Sequence, residues 1–75
     1  MKENRVLDAK GLACPMPVVR ARKVMKEMAT GDVLEIWATD KGSVADLAAW
    51  SKSGGHDLFE HTEEAGVFTF LIRKG

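Results

Sequence analysis

The strong nucleophile in this 75-residue chain is Cys14, its sole cysteine, set in the run GLACPMPVVRARK at residues 11–23. A thiolate attacks sulfur electrophiles, and a persulfide is one outcome of such chemistry. One cysteine cannot build an internal disulfide, and proline at position 17 closes the C-x-x-C route to dithiol redox chemistry. Covalent carriage, or transfer to a thiol on a partner, is then the chemistry open to Cys14. A buried, inert thiol is the alternative that position alone leaves standing.

The elements around Cys14 decide how it is presented. From Pro15 to Ala29 the apolar residues Val18, Ala21, Val24, Met25 and Met28 recur at steps of three and four, which predicts an amphipathic helix. Cys14 falls at its N-cap, with Pro15 at N1, Met16 at N2 and Pro17 at N3. First-turn N–H groups have no intrahelical partner, so both prolines start the helix rather than break it. The positive end of the helix dipole favours thiolate. Two deleted N–H groups leave chiefly that of Met16 to solvate the anion, so the expected lowering of the pKa is modest.

The rest of the chain alternates strand and helix. Residues 5–9 read as a short strand, and Gly31 as the left-handed cap after the first helix. VLEIWAT follows as a strand with Leu34, Ile36 and Ala38 on one side and Val33, Glu35 and Trp37 on the other. Ser43 and Asp46 resemble a capping box for a second helix running to about Ser53, with Val44, Leu47 and Ala48 as its apolar stripe. DLFEHTE and VFTFLIRK, joined by Glu64-Ala65-Gly66, predict a hairpin with Phe68, Phe70 and Ile72 inward.

The order β-α-β-α-β-β predicts an α+β, two-layer sandwich: a mixed four-stranded sheet with two helices on one face, as a single domain over residues 1–75. The uncovered sheet face is expected to be polar, and the chain ends frayed.

Eleven basic residues balance eleven acidic ones, so no global field steers the molecule toward nucleic acid or anionic lipid. The polar start MKENRVLD is unlike a signal peptide, no apolar run spans a bilayer, and a reducing cytoplasm is the simplest address. Centring the helix stripe on Ala21 places Met16, Val19, Lys23 and Lys26 on the far side, with Arg20 and Arg22 on the flanks. Only Glu27 counters those four cations. Such a face suits an acidic protein partner, or it is an ordinary solvated surface. A small nucleic-acid-binding or regulatory module using the same cations is the alternative function, opposed by zero net charge and the lack of interleaved aromatics.

Other residues carry weaker signals. His56 and His61 with one cysteine make a thin ligand set, and no metal is expected. His56 suits a loop closure better than a proton donor near Cys14. Asp8 and Asp40 either orient the Cys14 loop or cap turns, the commoner role. Trp37 and Trp50 read as packing, and Met25 and Met28 as core filler.

Leu7-Asp8, Gly11-Leu12 and Cys14-Pro15-x-Pro17 together resemble the signature of the TusA/SirA-like sulfur carriers. The likeness continues through Gly31-Asp32, Asp40, Asp46, Trp50, Gly55-His56 and FLIRK. The resemblance implies the same two-layer fold, like the C-terminal domain of bacterial translation initiation factor 3. It also implies a persulfide carried on Cys14 with no further cofactor, and a cysteine desulfurase or rhodanese-like donor. The acceptor would be the next protein of a relay serving tRNA thiolation, molybdenum-enzyme maturation or sulfur oxidation. Gly11, Pro15 and Pro17 would position the thiol, and no direct nucleic-acid contact or membrane is implied. Met16 departs from the acidic residue that tRNA-thiolation members place between the prolines, which tells against that branch and leaves the sulfur-oxidation and other branches open.

Overall fold

The computed structural model describes residues 4–75. Strands β1 (Asn4–Ala9), β2 (Val33–Ala38), β3 (Asp57–Glu64) and β4 (Val67–Arg73) form one sheet. Helices α1 (Met16–Lys26) and α2 (Gly42–Ser53) are inserted in the order β-α-β-α-β-β. The spatial order is β1-β2-β4-β3, with β1 and β2 parallel and the other pairs antiparallel. This is the expected mixed sheet with both helices on one side.

Alternation explains the layer. Leu34, Ile36 and Ala38 of β2 stand opposite Ile72, Phe70 and Phe68 of β4, and all six are buried. Ala21 and Met25 of α1, Met28 just beyond it, and Leu47 of α2 close over them. Burying each large side chain of this set contributes about 1.5–3 kcal/mol. The hairpin turn is two residues, Ala65 (φ 53°) and Gly66 (φ 81°), whose paired positive φ values match the twist of the strands they join.

Three expectations about the helices and their caps change. Helix α1 stops at Lys26 rather than Ala29, because Glu27 and Met28 donate to carbonyls three residues back, Val24 and Met25, and tighten the last turn. Gly31 (φ 95°) serves the following turn, closed by Asp32 N–H to the Ala29 carbonyl at 3.0 Å. Ser43 does not cap α2. It is fully buried, and among the described residues its hydroxyl has no partner.

The uncovered sheet face carries the expected polar residues, Asp8, Glu35, Thr62 and Thr69 among them, but it is mixed: Val6 is 57% exposed, and Val33, Trp37, Val67 and Leu71 are half-buried beside it. Strand β2 places Val33 and Trp37 on that open side, with Glu35 between them. The expected frayed N-terminal end falls on residues 1–3, outside the described residues. At the other end, Lys74 is bonded to Asp32 and Gly31, and Gly75 N–H donates to His56 Nδ1.

Candidate functional site

Because β1 and β2 run parallel, the loops that follow them leave the sheet at the same end. The first carries Cys14 and the second carries Asp40. They are laced together through the backbone of the first. Gly11 N–H donates to Thr39 Oγ1 at 2.9 Å, and Cys14 N–H to Asp40 Oδ2 at 2.6 Å. The other carboxylate oxygen of Asp40 accepts Gly42 N–H at 3.1 Å, so one side chain serves both loops. Gly11 has φ 82°, a left-handed conformation that aims its N–H into the neighbouring loop and that a side chain would strain. The contact is close: a Cβ added to Gly42 would lie 3.4 Å from Cys14 Cβ.

Cys14 lies one residue further from the helix than expected. Pro15 is the cap, Met16 is N1 and buried Pro17 is N2, and the Cys14–Pro15 peptide is cis. Both prolines still occupy positions that donate no helical hydrogen bond, and the Pro15 carbonyl accepts from Val18 and Val19, each at 3.1 Å. Met16 N–H does not face the sulfur; it donates to the Ala13 carbonyl at 2.9 Å.

The electrostatics at the thiol reverse the expectation. Cys14 is exposed, and its Sγ donates a hydrogen bond to the Asp46 carboxylate. That bond, partial desolvation and the negative charges of Asp46 and Asp40 push the thiol above the ordinary cysteine range. The dipole of α1 is a half charge one residue away, whereas a full carboxylate bonds the sulfur directly. Asp40 is held below the usual carboxylate range by the Cys14 N–H, then the Gly42 N–H, that it accepts.

Of the other expected site residues, Met16 (41% exposed) and Val19 (47%) are open to solvent, as are Arg20, Arg22, Lys23 and Lys26. Val19, Arg22, Lys23 and Lys26 share a shallow groove of about 270 Å³, which Met16 and Arg20 do not line. Glu27 does not counter this face, because it pairs with Arg5 of β1 at 3.1 Å. Among the described residues none of the four cations makes an ion pair.

The histidines lie away from the thiol. His56 sits at the opposite end of the sheet, its ring 5.3 Å from that of Trp50, and burial with nearby Lys74 pushes its pKa down. His61 stacks on Phe70 at 5.0 Å, brought to that face by a bulge between Leu58 and Glu60. Asp8 caps its turn through Lys10 N–H at 3.1 Å. Trp37 lies on the open sheet face, its indole N–H on Glu35 and Lys10 over its ring. Asp46 is the residue whose role residue-level reasoning missed. Its spacing from Ser43 read as a helix cap, and its approach to Cys14 from 32 residues away left no local signal.

Residues 5–74 match the family described as Sulfurtransferase TusA. The chain belongs to the TusA family. Among similar proteins, YrkI of Bacillus subtilis is 61% identical over 75 residues, all of both chains. The sulfur carrier protein TusA of Allochromatium vinosum is 52% identical over 71 residues, 95% of this chain and 93% of that one. The crystal structure of a SirA-like protein from Desulfitobacterium hafniense superposes with a TM-score of 0.85 at 29% identity, covering 95% of this chain and 97% of that one. The TusA-family fold therefore extends over nearly the whole chain.

Proposed function

We propose that this TusA-family protein carries sulfur as a persulfide on Cys14, between a donor protein and an acceptor protein. The observation that carries the reading is an exposed thiol, the chain's single cysteine, on a loop lashed to its neighbour by Gly11 N–H and Cys14 N–H. In loading, the Cys14 thiol gives up its proton and its sulfur attacks the outer sulfur of a donor persulfide. The donor S–S bond breaks as the new one forms, and the donor leaves as a thiol after taking up a proton. In discharge an acceptor thiol attacks the outer sulfur of Cys14-S-SH, and Cys14 departs as the free thiol. No external oxidant or reductant is needed in either step.

The donor is a cysteine desulfurase or a rhodanese-like protein, and the setting a reducing cytoplasm. Among the described residues no helix is long and apolar enough to cross a membrane. The groove of Val19, Arg22, Lys23 and Lys26 receives an acidic partner surface; the zero net charge of the chain tells against nucleic acid as its occupant. Met16, apolar and exposed two residues from the thiol, favours a relay other than tRNA thiolation.

Intact mass after incubation with a cysteine desulfurase plus cysteine, or with thiosulfate plus a rhodanese, tests the reading. A gain of one sulfur atom, reversed by dithiothreitol and absent in Cys14→Ser, is expected. The double variant Arg22→Glu/Lys26→Glu should load several-fold more slowly while melting normally. No adduct with either donor sinks the carrier reading; unchanged loading of the double variant removes the docking role alone.

A further inference from the structure

The carboxylate at the sulfur is an odd neighbour for a nucleophile. Reactive cysteines ordinarily sit among cations or at unobstructed helix N-termini, which favour the thiolate. Here the sulfur donates its hydrogen to Asp46, on the second turn of α2, while Asp40 holds the backbone N–H of the same residue. Both charges facing the sulfur from the α2 side are negative. On its own side, residues 11–19 carry no charged side chain, and Lys41 follows Asp40 in the loop opposite. Asp40 is committed to two backbone N–H groups, and so positions the loop. The carboxylate that meets the sulfur itself is Asp46.

We propose that Asp46 is a positioning residue that keeps the Cys14 sulfur protonated and turned toward α2, so that the free carrier is quiet toward stray electrophiles and small thiols. This rests on the carrier reading of Cys14. A sulfur held as thiol is a weak nucleophile when the carrier is empty. The same environment makes it a poor leaving group when the carrier is loaded, because thiols of higher pKa depart more slowly. Small cellular thiols that are themselves anionic meet two carboxylates at the approach. A docked partner that brings a cation to Asp46 removes the restraint, so exchange is confined to the complex. The direction of the Cys14 pKa agrees with this geometry.

The test is the pH dependence of alkylation by iodoacetamide, a neutral reagent, in the parent, Asp46→Asn and Asp46→Glu proteins. The Asn variant should have its profile moved to lower pH, with a rate near pH 7.5 raised about three- to tenfold, each pKa unit being tenfold in thiolate. The Glu variant keeps the charge and should stay close to the parent. A profile that does not move, moves to higher pH, or rises equally at every pH as a merely loosened loop would produce, overturns the proposal. Titration of the Cys14 ¹³Cβ resonance in the parent needs no variant. Its midpoint should lie above that of cysteine in an unstructured peptide, and a midpoint at or below that value also overturns it. Neither readout requires a sulfur donor, so failure to load sulfur would count against the carrier reading without deciding the role of Asp46.

Discussion

Asp32 and Asp40 stand at opposite ends of β2, one immediately before its first residue and the other two past its last. Each carboxylate accepts a backbone N–H, from Ala29 at 2.9 Å and from Cys14 at 2.6 Å. Their surroundings differ. Asp32 is 3% exposed, and its carbonyl accepts Lys74 N–H at 2.8 Å, so it joins the α1–β2 turn to the end of β4 inside the protein. Asp40 is only half-buried, and its two acceptor oxygens hold the rim of a site rather than a seam of the core. A carboxylate bond made where water competes adds little to folding but still fixes direction, whereas the same bond made out of water cannot be lost cheaply.

Three measurements can break or sharpen this contrast. Asp32→Ala should have the largest effect, a loss of about 2–3 kcal/mol in urea denaturation, as for a partly buried bond to a charged acceptor. A loss under about 0.5 kcal/mol, the scale of an ordinary surface substitution, would put Asp32 in the same class as Asp40. Asp40→Ala should leave the melting transition nearly in place. It should speed hydrogen exchange of the Cys14 amide on the order of tenfold, the loss of one charged acceptor. A collapse of stability with unchanged exchange would reverse the assignments.

The smallest effect belongs to His56, beside Asp32's end of the sheet. Its folded pKa lies below the ordinary imidazole value, so the unfolded chain binds the proton first as pH falls. Stability is therefore full above the ordinary imidazole range and declines as pH drops through it. The neutral ring also supplies the Nδ1 acceptor for Gly75 N–H, which protonation would remove. Melting temperature should fall modestly between about pH 7 and pH 5.5, in the range where histidine titrates, and the slope should flatten in His56→Gln. An unchanged slope would show that this end of the sheet is indifferent to the histidine.

Much of the fold was legible because its signals are local. The stripe Val18, Ala21, Val24, Met25 and Met28 has helical period, and Phe68, Phe70 and Ile72 alternate, so the buried sides of α1 and β4 follow from spacing. The mixed character of the open face was legible too: VLEIWA offers Val33 and Trp37, with Glu35 between them, on the side away from Leu34 and Ile36. The upward push on the Cys14 thiol was not legible. The dipole of α1 is encoded next to the cysteine, but Asp40 and Asp46 arrive from 26 and 32 residues away. Only the fold brings them to the sulfur, and they outweigh the local effect. The family signature contained both aspartates without saying what they touch.

The pairing of β1 with β2 matches Ala9 to Ala38, so the two loops begin level with each other. That register is the ruler by which Cys14 is measured against Asp40 and Asp46. A slip of one residue would carry one loop about 3.3 Å past the other, and would also turn every β1 side chain to the wrong face of the sheet. The residues that forbid the slip, Leu7 and Ala9 among them, belong to the core side of the sheet. They nonetheless align the thiol with its acceptor, and substitutions there would act on its reactivity through the strand ladder.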